Sequence, residues 1–283
     1  MDNNLYPCLW FDGKAKEAAE FYCDTFPNTK ITSTNPMVTM LEIFGQSIMC
    51  LNGGPQFTPN PSVSFFINCN SKEETDQIWH KLTMNAKILM PLNNYEWSEY
   101  YGFLQDKFGF SWQIMTGDFG KNDQKLVPCF LFTDNKFGQA HDAISFYTKV
   151  FSNSKIVSES FYTEKEMPQK GIVKHATIIL DGHEFRAMDG HGNHNFTFNE
   201  AISFVINCDN QTQIDFFWNT FTSDGGQESR CGWCKDKFGV SWQVVPSMLG
   251  KLMSHPEKGQ QVMEAFLKMK KFDIEVLMNI CYP

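Results

Sequence analysis

The chain has 283 residues, about two domains at roughly 150 residues each. Apolar residues make up 42%, charged residues 20% and aromatics 15%, a composition that builds packed cores and excludes a disordered chain. The 24 basic and 32 acidic side chains leave a net charge of −8, a field that repels phosphate and argues against nucleic acid or an anionic membrane surface as partner.

In chain order, residues 5–11 form a short apolar run, read as a buried strand. Residues 14–25 place Ala15, Ala18, Ala19 and Tyr22 at helical spacing, opposite Lys14, Lys16, Glu17 and Glu20. Strand-like stretches follow at 29–34, 38–44 and 46–51, the last two joined by a turn at Gly45-Gln46. The same order then recurs. A strand at 63–69 leads to a helix opened by Ser71, with Glu74 completing a capping box, and then to strands at 86–90, 95–104 and 111–115. The tail predicts a capped helix over 254–271 and a short one capped by Asp273.

No apolar run approaches the ~20 residues that cross a bilayer. The start, Met1-Asp2-Asn3-Asn4-Leu5, has neither the basic nor the apolar region of a signal peptide. Nine cysteines, an odd number scattered through predicted elements, suit reduced thiols and a cytoplasmic location.

The chain also repeats itself. Pro7-Cys8-Leu9-Trp10-Phe11 returns as Pro128-Cys129-Phe130-Leu131-Phe132, Asn52-Gly53 as Asp189-Gly190, and Asn68-Cys69 as Asn207-Cys208. Asp106-Lys107-Phe108-Gly109-Phe110-Ser111-Trp112-Gln113 matches Asp236-Lys237-Phe238-Gly239-Val240-Ser241-Trp242-Gln243 at seven of eight positions. These pairs imply a tandem duplication in an α+β fold, each copy reading β-α-β-β-β twice. The expected division is a first domain over 1–118, a linker over 119–126, a second domain over 127–247 and a helical tail over 248–283.

Asp181-Gly182-His183-Glu184-Phe185, the run from Phe198-Asn199-Glu200 to Asn207-Cys208, and the Asp-Lys-Phe-Gly-x-Ser-Trp-Gln motif closely resemble the PhnB-like proteins, also catalogued as 3-demethylubiquinone-9 3-methyltransferases. That family falls within the vicinal oxygen chelate superfamily of glyoxalase I, bleomycin-resistance proteins and extradiol dioxygenases. The resemblance implies paired modules curved into a half-barrel, with single-copy relatives pairing as dimers. Two fused copies are then an internal pseudo-dimer, expected as a monomer or a dimer of chains. Superfamily enzymes hold a divalent metal through His, Glu or Gln on the first and last strands of their modules. Here those positions carry Cys8 and Cys129, Ser64 and Ser203, and Gln113 and Gln243, a weak set for a hard metal.

The expected function is therefore binding of a small apolar or aromatic molecule, with no cofactor. Its candidate residues are Cys129, Ser203, Trp233, Trp242 and Gln243 in the second copy, and Cys8, Trp112 and Gln113 in the first. The glutamines need hydrogen-bond partners, either a ligand or a neighbouring group. One alternative is a metal-dependent lyase or dioxygenase using His175, Glu184 and Gln243. Another is the methyl transfer to a quinone-like phenol that the family name implies. The nearest approach to a Gly-rich cofactor turn, Gly190-His191-Gly192, falls between predicted strands. Cys231-Gly232-Trp233-Cys234 has the spacing of a redox pair but sits on a predicted strand rather than at a helix start. His183, His191 and His194 read as mostly solvated loop.

Overall fold

The computed structural model describes residues 4–120, 123–167 and 169–282; the first three residues and part of the expected linker lie outside them. The first copy holds β1 (Leu5–Phe11), α1 (Ala15–Thr25), β2 (Thr29–Thr34), β3 (Val38–Ile43), β4 (Gln46–Asn52), β5 (Val63–Cys69), α2 (Lys72–Leu82), β6 (Lys87–Tyr95), β7 (Ser98–Gln105) and β8 (Ser111–Thr116). The second holds β9 (Leu126–Phe132), α3 (Ala140–Val150), β10 (Lys155–Phe161), β11 (Val173–Leu180), β12 (His183–Asp189), β13 (Ile202–Cys208), α4 (Gln211–Thr222), β14 (Gln227–Glu228), β15 (Trp233–Lys235) and β16 (Ser241–Pro246). The tail carries α5 (Leu249–Met253), α6 (Gly259–Phe266) and α7 (Ile274–Cys281). The α+β class and the four βαβββ modules are as the sequence predicts.

Every module is wired alike. Its first strand pairs with its last, in parallel at β5–β8, β9–β12 and β13–β16, and the two middle strands run outward as a meander. The helix between the first two strands is the crossover that brings the chain back to the sheet.

Of the described residues, those at 4–8 and 202–282 form one compact unit, and those within Leu9–Ala201 form the other. These units do not coincide with the two sequence copies. Within Leu9–Ala201 one sheet has the order β10-β11-β12-β9-β5-β8-β7-β6, a second-copy module beside a first-copy module. They join through the antiparallel pair β5–β9, with Ser64 opposite Cys129 and Phe66 opposite Val127. The short connection from β8 to β9 carries the chain past one strand to the open edge of β5. The end of β1 in the same unit is followed by β4, β3 and β2. In the other unit Leu5 to Cys8 of β1 lie next to β13, then β16, β15 and β14.

Local capping explains several repeated residues. Asn52 Oδ1 accepts the Ala15 N–H at 2.9 Å, and Asp189 Oδ1 accepts those of Gly138 and Ala140 at 2.8 and 3.3 Å. A side chain at the end of each module's last strand thus satisfies the start of α1 or α3, where no local residue caps. At α2, Ser71 accepts from Glu74 N–H as expected, but the Glu74 carboxylate accepts from Asn70 rather than from Ser71.

Two expectations are corrected. The strand at 95–104 is a hairpin, because Tyr95 ends β6 and Ser98 starts β7. The helix at 254–271 is broken: Ser254 Oγ donates to Gly250 C=O and closes α5, and helical structure resumes only at Gly259. Pro256 disfavours helical backbone at His255, whose Nδ1 instead accepts the Glu257 and Lys258 N–H groups. Asp273 caps α7 through Val276 N–H at 3.1 Å, as expected.

Candidate functional site

The repeated Asp-Lys-Phe-Gly-x-Ser-Trp-Gln motif is a folding device that aims its last residue. Asp106 Oδ1 accepts the N–H groups of Phe108 and Phe110 at 2.8 and 3.1 Å, folding a turn in which Gly109 takes φ +90°. Asp106 Oδ2 accepts Trp112 Nε1–H and Tyr22 O–H, both at 2.8 Å. The Trp112 ring packs 4.9 Å from Phe26 and 5.3 Å from Tyr22. Asp236 makes the equivalent bonds to Phe238, Val240 and Trp242, and Trp242 stacks on Phe221 of α4 at 4.7 Å. Trp112 and Trp242 are therefore placed in the core beneath the helices. Alternation along β8 and β16 turns Gln113 and Gln243 to the opposite face.

In the unit Leu9–Ala201 that face gathers Ser64, Phe66, Tyr101, Gln113, Cys129 and Arg186, all less than 9% exposed. The helix-side face is marked by Gly102, which lies against Trp79 of α2, and by Phe130, which stacks on Phe185 and meets Tyr147 of α3. Tyr101 O–H donates to Gln113 Oε1 at 2.5 Å, Gln113 Nε2 donates to Ser64 Oγ at 2.8 Å, and Ser64 stands opposite Cys129, whose thiol donates to Phe130 C=O at 3.8 Å. Phe66, Val127, Phe103, Tyr95, Met90, Met115 and Met188 surround this chain. Burial pushes the Cys129 thiol up to about 12 and also raises Tyr101, so both are neutral near pH 7.

Arg186, paired with Cys129 in the β9–β12 register, is the one cation on this face among the residues just named. Its guanidinium lies 4.2 Å from the Phe66 ring centre. Nη2 donates to Asn68 Oδ1 at 3.2 Å and reaches Glu184 Oε1 at 3.5 Å, and Nη1 reaches Met115 Sδ at 3.4 Å. Nε is buried and finds no acceptor. His175, on neighbouring β11, is held down to about 4, first by burial and then by Arg186.

The other unit builds a related cluster from Cys8, Ser203 and Gln243. Gln243 Nε2 donates to Ser203 Oγ at 2.9 Å, and both side chains act to lower the Cys8 thiol against its burial. Burial pushes Cys8 up to about 12, and Tyr6, hydrogen-bonded to Asn207, likewise up to about 12. Trp233 stands opposite Gln243 in the β15–β16 register and is half-buried.

The structure thus groups Cys8 with Ser203 and Gln243, and Cys129 with Ser64 and Gln113. Each cysteine meets the serine and glutamine of the other sequence copy. Tyr101 and Arg186 join the second group without having been singled out in the sequence. Arg186 carries one available signal, being one of only two arginines in the chain, with Arg230.

A divalent metal of the superfamily kind is a poor fit to these donors. The strand positions in the Leu9–Ala201 unit offer a neutral thiol, a hydroxyl, an amide and a guanidinium, and a fixed cation repels a metal ion. Of the alternative set, Glu184 turns toward Arg186, while Gln243 bonds Ser203 in the other unit. Among the described residues no three His, Cys, Asp or Glu side chains gather as a metal site. Cys234 is buried with its thiol raised, and Cys231 is raised as well, the reverse of a redox-active pair. Asp189 is occupied by backbone donors, and His194 Nε2 lies 3.0 Å from His191 C=O in the loop after β12.

Among the described residues no helix is long and apolar enough to cross a membrane. The chain is similar to glyoxalase I from Zea mays, at 12% identity over 86% of this chain and 92% of that one, with a TM-score of 0.58. It is also similar to a PhnB protein from Bacillus cereus, at 35% identity over 39% of this chain and 96% of that one, with a TM-score of 0.37. A protein from Pseudomonas aeruginosa shares 22% identity over 39% of this chain and 95% of its own, with a TM-score of 0.35. No curated protein matches. Residues 3–115 and 124–245 each match the profile of the family described as 3-demethylubiquinone-9 3-methyltransferase. With both copies matched over most of the sequence, the chain belongs to this PhnB-like family, in tandem form, and shares the fold of glyoxalase I.

Proposed function

We propose that the chain binds a small apolar or aromatic molecule on the Cys129 face of the Leu9–Ala201 unit, without a metal. The observation that carries this reading is the lining itself. A short polar chain, Tyr101-Gln113-Ser64, runs beside Cys129 through aromatic rings and three methionines. Methionines re-pack around varied shapes at low cost, and a few placed polar groups orient what they enclose. The neutral thiol argues against a nucleophilic Cys129, since the thiolate is the reactive form.

A thermal-shift screen of planar aromatic compounds tests this reading. Stabilisation of the wild type by at least one compound, lost in Phe66→Ala and Tyr101→Phe, is the expected result. A panel in which no compound raises the melting temperature overturns it. The family's description names a methyl transfer, and calorimetric titration with S-adenosylmethionine separates that chemistry from simple binding.

A further inference from the structure

Arg186 is where the fold leaves a strong donor unused. It is 8% exposed, and of its five N–H groups the described contacts occupy few. Nε has no acceptor, Nη1 has only a thioether, and the Glu184 contact at 3.5 Å is long for a charge-assisted bond. Desolvating a guanidinium with so few acceptors is unfavourable, so either the scaffold needs it or a ligand completes it.

The repeat speaks against a scaffold need. Aligning Asn52 with Asp189 sets β4 residue by residue against β12, and Met49 then stands where Arg186 does, with Ser47 where Glu184 does. The same strand is thus built elsewhere in the chain with no charge at either position. The neighbours of Arg186 also suit one kind of partner. The Phe66 ring lies 4.2 Å from the guanidinium, Tyr101 and Phe103 lie two strands beyond Phe66 on β7, and Met115 and Met188 can move aside to open the guanidinium.

We propose that Arg186 anchors the carboxylate of a planar aromatic acid, whose ring packs among Phe66, Tyr101 and Phe103. The carboxylate supplies the acceptor that Nε lacks. Arg186 is then the residue that separates acids from neutral compounds of the same shape. This inference rests on the binding site proposed above and names its ligand class.

The test uses the full chain and two probes of one shape, 2-naphthoate and 2-naphthamide, titrated into wild type, Arg186→Met and Arg186→Lys. Arg186→Met installs the residue that the first copy carries. Naphthoate should bind the wild type about ten- to a hundredfold more tightly than naphthamide, and both variants should lose that preference. A parallel 1H–15N spectrum of the arginine Nε–H groups needs no variant. With two arginines there are two signals to follow; naphthoate should move that of Arg186 and leave that of Arg230 unchanged. If both probes bind equally and the Arg186 signal stays put, this inference fails while the binding site stands. If neither probe binds, this inference fails, and the thermal-shift panel decides the binding site separately.

Discussion

Asp106→Asn is the substitution whose cost the structure sets most closely. The Asp106 carboxylate is 4% exposed and accepts four donors: two backbone N–H groups, the Trp112 indole and the Tyr22 hydroxyl. In the amide, one oxygen keeps the Phe108 and Phe110 N–H groups. The new NH2 faces Tyr22 O–H, which can rotate and accept, and Trp112 Nε1–H, which cannot. The variant therefore loses a bond to a charged acceptor, worth about 1.5–3 kcal/mol, and leaves a buried indole N–H unpaired at a further ~1–3 kcal/mol. Relief from burying a charge offsets part of this, and the expected net loss is about 2–4 kcal/mol. Urea denaturation followed by circular dichroism measures the total. Hydrogen exchange on peptides spanning 101–116 localises it, a useful control in a chain whose two units need not unfold together. Asp236→Asn should do the same to peptides spanning 231–246. A loss below ~1 kcal/mol, or exchange unchanged around Trp112, would refute the account of the motif.

Three further outcomes follow from the same packing. Of the nine cysteines, only half-buried Cys23 and Cys231 should react with Ellman's reagent in the native state, the other seven on denaturation; fast labelling of Cys129 would contradict its burial. His175 is held at about 4 against an ordinary 6.5, so the unfolded chain takes up a proton that the folded imidazole refuses. Stability from this group is then full above pH 6.5 and lost as pH falls toward about 4, by about 1–3 kcal/mol, and urea midpoints of His175→Gln should flatten by that amount. Gly102→Ala pushes a Cβ into the Trp79 ring and should cost about 1–3 kcal/mol in the same denaturation assay.

What local chemistry dictates was legible along the chain. The short apolar run at 5–11, the spaced alanines of α1 and the Ser71 and Asp273 caps each place their own element, because the relevant partners lie within a few residues. The duplication gave the four modules in the same way. Pairings between distant residues lay beyond that reach. That Asn52 and Asp189 cap helices tens of residues upstream follows from the strand order, and so does the pairing of Ser64 with Cys129. The two tryptophans and two glutamines offered as one lining are separated by a strand's alternation, once the Asp106 and Asp236 carboxylates fix which face each indole takes. Sequence alone determined which residue types stand at the module positions. Only the tertiary structure decided which copy's cysteine meets which copy's glutamine, because strand edges pair by geometry and not by order along the chain.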